Sequence, residues 1–206
     1  MSTLKLTGSS SGSTSLQAPS SGSDRTITFP NNAGTVLTTA TPGCMLQVQN
    51  TTVTATSLIS CTSAWADSSI TCAITPSSTS SKILINSTIT GEGNAANQQR
   101  FGYRIKKAIS GGATTYLTGA TAGNRTLLTG LTGDLTDNAT ATASSFAISN
   151  YLDSPSTTSA VTYTIQFTYE NAASSGTYYL NMNVSDSDAA AHGRYVSWIT
   201  LMEVAG

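Results

Sequence analysis

The sequence contains very few charged residues. Asp, Glu, Lys and Arg make up 9% of the 206 residues, against about 25% in an average soluble domain. Serine and threonine fill roughly a third of the positions, so hydroxyl groups replace ions as the main source of solubility. Such a composition is also found in disordered segments. A hydrophobic fraction of 38%, with many strand-favouring Thr, Val, Ile and Tyr residues, nevertheless predicts that most of the chain folds.

Basic residues are too few for a typical nucleic-acid-binding surface. The formal net charge is -1, and the one basic cluster consists of Arg100, Arg104, Lys106 and Lys107. Proteins that bind nucleic acid through phosphates usually carry a larger basic patch or stripe. We therefore expect no nucleic-acid partner.

Cysteine and histidine are also scarce. Three cysteines, Cys44, Cys61 and Cys72, do not form a disulfide framework in a chain of 206 residues. A Cys61–Cys72 bridge remains open, but buried free thiols are favoured. The single histidine, His192, and these cysteines lack the spacing of a zinc site. We expect no metal and no cofactor.

Long hydrophobic runs are absent. No stretch approaches the eighteen or more apolar residues of a membrane span. The first residues, MSTLKLTGSSSG, lack the apolar core of a signal peptide. We therefore expect a protein that is made in a cytoplasm and has no membrane partner.

Residues that could carry catalysis are isolated. His192 lies in a predicted loop, and no nucleophile motif such as G-x-S-x-G accompanies it. Two pairs of carboxylates, Asp134 with Asp137 and Asp186 with Asp188, occur in turn-like surroundings where Asp caps the backbone. Neither pair predicts a glycosidase dyad, and the second pair lacks the further oxygen ligands of a calcium site. We predict that the protein is not an enzyme and assign no catalytic, cofactor or metal residue.

Alternation of apolar and polar residues with a period of two pervades the chain. From Val161 to Tyr169 every odd residue is apolar or aromatic and every even residue is Thr or Gln, which predicts a half-buried strand. A turn at 171–176 and a second alternating segment at 178–184 predict an antiparallel hairpin. Further strands are predicted around Leu46 and Val48, Ile70 to Ile74, Ile83 to Ile89, Phe101 to Ile105, and Phe146 and Ile148.

The last predicted strand, Tyr195 to Val204, is apolar on both faces. It is therefore expected to be a central strand or to lie at a subunit contact, with Trp198 filling the core of the sandwich or of a trimer. Together the strands predict an all-β, antiparallel β-sandwich or jelly-roll-like domain over residues 44–206. A short extended β arm over residues 1–43 precedes it, and the patternless stretch 119–143 predicts a long surface loop.

Short strand-like pieces in the arm are separated by Gly, Ser, Pro and Asn, and none can form a core by itself. Residues Gly8 to Pro19, Thr26 to Pro30 and Gly34 to Leu37 resemble an N-terminal module of structural proteins of marine tailed phages, particularly cyanophages. Segments of the following domain resemble the β-domain of the same proteins: Met45 to Thr56, Ile74 to Ile85, Tyr151 to Phe167 and Trp198 to Gly206.

This resemblance implies a structural virion protein on the particle surface. It would be a short homotrimeric appendage, fibre or capsid decoration, attached through its N-terminal arm to other capsid or tail proteins. The alternative that the sequence leaves open is a receptor-binding tail-fibre adhesin that recognises a host surface glycan or protein. Tyr116, Tyr151 and Tyr179 are candidates for exposed aromatic residues, but the sequence does not define a binding site.

Overall fold

The computed structural model describes most of the chain. The described residues are 3–7, 13–17, 42–62, 64–95, 101–121, 123–132, 143–169, 175–190 and 192–206. Within these ranges the regular elements are all β-strands, and no helix occurs. The chain divides into two compact units, Met1–Val36 and Leu37–Gly206. The predicted boundary after residue 43 stays a prediction.

The described part of the first unit is a pair of antiparallel strands. β1 (Thr3–Thr7) and β2 (Ser13–Gln17) pair so that Thr3 lies opposite Gln17. Two of the predicted strand pieces, 4–6 and 15–17, fall within these strands. The other two, 26–29 and 35–37, lie outside the described residues.

The second unit is a β-sandwich, which confirms the predicted fold class. Two antiparallel sheets pack face to face, as the alternation of buried and exposed residues along their strands requires. The strands are β3 (Met45–Val53), β4 (Ser57–Cys61), β5 (Ala66–Ile74), β6 (Lys82–Ala95), β7 (Phe101–Ile109), β8 (Thr114–Leu117), β9 (Gly130–Leu131), β10 (Ser144–Asp153), β11 (Val161–Tyr169), β12 (Gly176–Leu180) and β13 (Ser197–Val204).

The long strand β6 organises the six-stranded sheet. One edge of β6 pairs with β10. Its other edge pairs first with β13, over residues 82–88, and then with β12, over residues 91–95. β3 extends the sheet beyond β13, and β4 extends it beyond β12. β13 is therefore a central strand, one of the two positions predicted from its apolar faces.

The five-stranded sheet contains β5, β11 and β7 in that order, followed by β8 and β9 on the far edge of β7. This arrangement corrects the predicted hairpin. β11 pairs with β5 and β7, whereas β12 pairs with β4 and β6 of the other sheet. The alternation showed correctly that both segments have a buried face. Alternation does not show which strands pair with each other. β11 and β12 face each other across the core instead of pairing.

Part of the predicted long loop is held against the edge of β7. The backbone amide of Thr129 donates to the carbonyl oxygen of Tyr103 at 2.9 Å, and that of Thr132 donates to the carbonyl oxygen of Phe101 at 2.8 Å. These bonds flank the short strand β9. The prediction of a loop over the whole of 119–143 is therefore wrong for residues 129–132, and residues 133–142 lie outside the described residues.

Aromatic side chains join the two sheets. Tyr178 of β12 stacks on Phe167 of β11, with ring centroids 4.6 Å apart, and meets Phe101 of β7 edge to face at 5.7 Å. Phe146 of β10 stacks on Tyr103 of β7 at 4.9 Å. Such pairs stabilise the packing beyond the area that they bury. These aromatic contacts determine which face of each sheet packs against the other sheet.

Gly91 of β6 provides the space for this cluster. A Cβ atom at this position would overlap the carbonyl oxygen of Tyr179 on the neighbouring strand and would lie 3.0 Å from the ring of Tyr178. Because both neighbours belong to a paired strand, neither can move away without disturbing the sheet. The absence of a side chain at residue 91 thus allows β12 to place Tyr178 in the core.

A buried ion pair forms a second connection between the sheets. Lys107 of β7 lies 3.0 Å from Asp153 at the end of β10, and the two side chains are 12% and 8% exposed. The hydroxyl of Tyr163 donates to the other oxygen of Asp153 at 2.7 Å. Burial, reinforced by the nearby carboxylate, raises the pKa of Tyr163. Lys107, predicted as part of a basic surface cluster, therefore points into the sandwich.

Trp198 does not fill the core of the sandwich. Ile199 and Leu201 of β13 are fully buried, whereas Trp198 points to the opposite face of the sheet and is only partly buried. The first of the two predicted positions is wrong because both faces of this strand are apolar, and alternation alone does not tell which face meets the other sheet. The position of Trp198 at a trimer contact stays a prediction.

The hydroxyl of Tyr178 gives a direct test of the core. It is buried and has no hydrogen-bond partner among the described residues. An unpaired buried hydroxyl is destabilising, so Tyr178→Phe is expected to leave the free energy of unfolding unchanged or raise it by about 1 kcal/mol. Tyr178→Ala is expected to lower it by about 3–5 kcal/mol, as other large-to-small core substitutions do. Urea unfolding followed by circular dichroism measures both.

Tyr163→Phe is the matched control. It removes the same atom, but it leaves an oxygen of the buried Asp153 without its donor and should cost about 1–3 kcal/mol. Equal losses for Tyr178→Phe and Tyr163→Phe would contradict this description of the core.

Candidate functional site

The described candidates for catalysis, His192 and Asp186, each bond to a residue outside the candidate set. The ring nitrogen Nδ1 of His192 lies 2.6 Å from the hydroxyl of Ser187 in the segment before β13. Asp186 pairs with Arg194 on the surface, and Asp188 is exposed. Asp134 and Asp137 lie outside the described residues. Within the described ranges, no group of three or more His, Cys, Asp or Glu residues is arranged to hold a metal ion.

The cysteines are free thiols. Cys61 and Cys72 are buried, as predicted, and Cys44 is partly exposed. Burial raises the pKa of Cys61 to about 12, although a backbone hydrogen bond from Tyr178 opposes the shift. A thiol with such a high pKa carries almost no thiolate near neutral pH and is a poor nucleophile.

An aromatic and basic cluster, the Arg104 stack, lies on the outer face of the five-stranded sheet. The guanidinium of Arg104 on β7 lies between two rings, with its central carbon 4.0 Å from the ring centroid of Trp65 and 3.5 Å from that of Tyr116. Alternation predicted that Arg104 points away from the core. It did not identify the two aromatic partners, which come from the segment before β5 and from β8.

Polar side chains surround the Arg104 stack on the same face. The Nε atom of Arg104 donates to Gln166 at 2.7 Å, and the amide of Gln166 donates to Asp67 at 2.6 Å. Lys106 forms an ion pair with Asp67. Burial alone would raise the pKa of Asp67, but the hydrogen bonds from Lys106 and Gln166 and the two nearby cations outweigh it and lower the pKa.

The Glu203 groove, an open depression of about 600 Å³, lies at one end of the sandwich. Glu203 of β13 is 0% exposed. Its carboxylate accepts hydrogen bonds from the backbone and hydroxyl of Ser77, at 2.7 and 2.6 Å, and from Gln47 at 2.6 Å. Burial opposes its ionisation, but these hydrogen bonds together lower the pKa. The carboxylate therefore connects β3, β13 and the turn after β5, which is a structural role.

Two buried asparagines after β12 form a network that sequence reasoning missed. Asn181 donates to the carbonyl oxygens of Val53 and Ala55 at 2.8 and 3.0 Å. Asn183 donates to the buried carboxylate of Glu92 at 3.0 Å. Both asparagines were assigned to the polar face of a strand extending to Val184. The strand ends at Leu180, and beyond it Asn181 bonds to the backbone at and just after the end of β3 while Asn183 bonds to a buried carboxylate.

The outer face of the six-stranded sheet carries an apolar row. Val48 of β3 lies opposite Met202 of β13, Met202 opposite Leu84 of β6, and Leu84 opposite Leu152 of β10. Val48 and Leu152, at the two ends, are 50% and 51% exposed. Four strands thus place one apolar side chain each at the same level of an exposed sheet face.

The two rows on one side of it are uncharged. Asn50, Thr200 and Asn86 lie in register in one neighbouring row, and Thr52, Trp198 and Thr88 form the next. On the other side, Val204 lies between Met45 and Lys82, which is the nearest charged residue. This face of the sheet therefore combines apolar side chains with amides and hydroxyls.

Comparisons with known proteins do not identify the chain. No protein-family model matches it, and no curated protein sequence matches it. The described residues contain no helix of sufficient length and apolar character to cross a membrane. The two outer faces of the sandwich are therefore the basis for a functional proposal.

The lowered pKa of Glu203 predicts a pH-dependent contribution to stability. Because its folded pKa lies below the unfolded value, the ionised side chain stabilises the fold above the unfolded pKa, and this contribution is lost as the pH falls through the folded pKa. Glu203→Gln should lower the free energy of unfolding by about 2 kcal/mol near neutral pH. The difference from wild type should shrink as the pH falls from neutral through the lowered pKa of Glu203.

Urea unfolding of both proteins across this range measures the effect. Asp67→Asn is the matched control. Its carboxyl pKa is also lowered, but the Asp67 side chain is 52% exposed, so its loss should cost below about 1 kcal/mol. A constant difference between Glu203→Gln and wild type at all pH values would contradict the role of the carboxylate.

Proposed function

We propose that the chain is a structural virion protein of a tailed bacteriophage. In this proposal it is a short homotrimeric appendage, fibre or capsid decoration on the particle surface. The N-terminal arm attaches it to capsid or tail proteins, and the sandwich domains associate with each other. The sequence resemblance to structural proteins of marine tailed phages supports the virion role.

The observation that carries the assembly proposal is the apolar row. Apolar residues that adjoin each other across four strands on the outer face of a sheet are unusual for a surface that faces water alone. The occupants that we propose are the same faces of two other copies, which meet around a three-fold axis. The charge distribution favours this choice, since the apolar row and the two rows on its Asn86 side contain no ionised side chain. Copies can therefore approach without like charges meeting, whereas a strongly charged partner would find no counter-charges.

The position of the row also suits assembly. β13 is central in the sheet, so its inner face holds the sandwich together through Ile199 and Leu201 while its outer face presents Met202 and Trp198. A trimer would bring three attachment arms together, one from each chain. Such multivalency strengthens weak individual contacts.

A receptor-binding adhesin is the second candidate function. The observation that favours it is the Arg104 stack, because exposed aromatic residues with adjacent polar groups are typical of recognition surfaces. The assembly and recognition proposals concern different faces of the sandwich and can both hold.

Leu84→Lys tests the assembly proposal. The wild-type chain should elute from size exclusion with a scattering mass three times its 21.1 kDa. The substitution places a charge in the centre of the apolar row and should yield a monomer with unchanged circular dichroism, because a buried unpaired charge strongly opposes association. Ala73→Lys is the matched control, since residue 73 is exposed on the five-stranded sheet, and it should leave the trimer intact.

Two results would contradict the proposal. A wild-type protein that is monomeric at micromolar concentration would refute self-assembly. A trimer that survives both Leu84→Lys and Leu152→Lys would show that the apolar row is not the contact. The virion role is tested separately by mass spectrometry of purified particles, in which this chain should be detected.

A further inference from the structure

Arg104 forms no ion pair with any residue that the structure describes. The ion pairs among the described residues join Lys106 to Asp67, Lys107 to Asp153 and Arg194 to Asp186. Arg104 belongs to none of these pairs, although it is partly buried. The burial lowers its pKa, and the nearby Tyr116 and Asp67 oppose this shift. Together with Lys106 and Asp67, it leaves this part of the surface with one uncompensated positive charge.

The two rings restrict how a partner can approach Arg104. They cover the two flat faces of the guanidinium at 3.5 and 4.0 Å. Its Nε atom is occupied by Gln166. The guanidinium also hydrogen-bonds to Tyr116. The Nη hydrogens that remain at the edge of the group can bind a carboxylate through two parallel hydrogen bonds. The two rings and Gln166 hold this group in place, so little side-chain entropy is lost on binding.

Further features of the surface indicate the rest of the ligand. Tyr116 is 45% exposed and Trp65 is partly exposed, although one face of each ring lies against the guanidinium. The exposed aromatic surface can therefore pack against a flat, mainly non-polar ring face. Lys106 and Asp67, on the same sheet face, offer a hydrogen-bond donor and acceptors for hydroxyl groups.

We propose that the Arg104 stack binds an acidic saccharide, that is, a pyranose ring that carries a carboxylate. The carboxylate bonds to the Nη groups of Arg104, the sugar ring packs on Tyr116 or Trp65, and its hydroxyls bond to Asp67 and Lys106. The site lies on an open sheet face, so a single sugar binds weakly, with a Kd on the order of 1 mM for a ligand of this size. It is present in each chain and does not depend on the proposed trimer.

Titration of the full-length protein with sodium glucuronate tests the proposal. Tryptophan fluorescence is the readout because Trp65 is one of only two tryptophans. Glucose supplies the ring without the charge, and sodium acetate supplies the charge without the ring, all at constant ionic strength. Glucuronate should change the fluorescence saturably, and glucose and acetate should each bind at least about tenfold more weakly.

Variants place the binding at the Arg104 stack. Arg104→Lys keeps the charge but loses the paired donors and should weaken glucuronate binding at least about tenfold. Trp65→Phe should abolish the fluorescence change, and calorimetry with this variant then measures whether binding persists on the remaining rings. Lys82→Gln removes a cation from the other sheet and should bind as the wild type does. Thermal unfolding checks that each variant is folded.

Three outcomes would overturn the proposal. Acetate binding as tightly as glucuronate would reduce the site to a carboxylate site, and equally tight binding of glucose would show that Arg104 does not select the ligand. A folded protein that binds neither glucuronate, glucose nor acetate would show that the Arg104 stack only stabilises the sheet. Light scattering on the same samples distinguishes these results from failure of the assembly proposal. A monomer that binds glucuronate would refute only the trimer, and a trimer that does not bind it would refute only the saccharide site.

Discussion

The packing of Tyr178 against Phe167 and Phe101 is the contact on which the other features of the sandwich depend. It joins the centre of one sheet to the centre of the other and thereby determines which face of every strand is buried. The alternate residues are then forced outward. The apolar row and the Arg104 stack are consequences of this choice, since each consists of side chains that the core excludes.

The low charge of the chain gives these two outer faces different properties. Two of the three ion pairs between described residues involve β7, where Arg104 and Lys106 point outward and Lys107 points inward. The outer face formed by β3, β13, β6 and β10 has amides and hydroxyls beside its apolar row. One face is thus suited to contact with copies of itself and the other to a charged, polar ligand.

Much of the fold could be predicted from alternation alone, as β11 shows, because its bounds match the predicted strand and its odd residues lie in the core. Strand pairing could not be predicted, because alternation reports a buried face and not the neighbour, which is why β11 and β12 were wrongly joined in a hairpin. Asn181 and Asn183 also escaped prediction. Their partners are carbonyl and carboxylate groups from distant strands, and a polar residue in an alternating segment is ordinarily assigned to the solvent face.

Both candidate surfaces depend on the order of strands and on their register. Val48, Leu84, Leu152 and Met202 share no spacing in the sequence, and only the pairing of four strands aligns them. In the same way, the outward direction of Arg104 was predictable, but its position between Trp65 and Tyr116 was not. Alternation therefore predicted which side chains point outward, and the register of the sheets shows which of them lie together.

Hydroxyl-radical footprinting of the unmodified chain tests the central claim, that the apolar row is covered by other copies. Mass spectrometry would follow oxidation of Met202, within the row, and of Tyr116, on the opposite sheet, over a dilution series. The account predicts that Met202 is protected at high concentration and becomes reactive on dilution, while the reactivity of Tyr116 stays constant. Equal reactivity of Met202 at every concentration would contradict it.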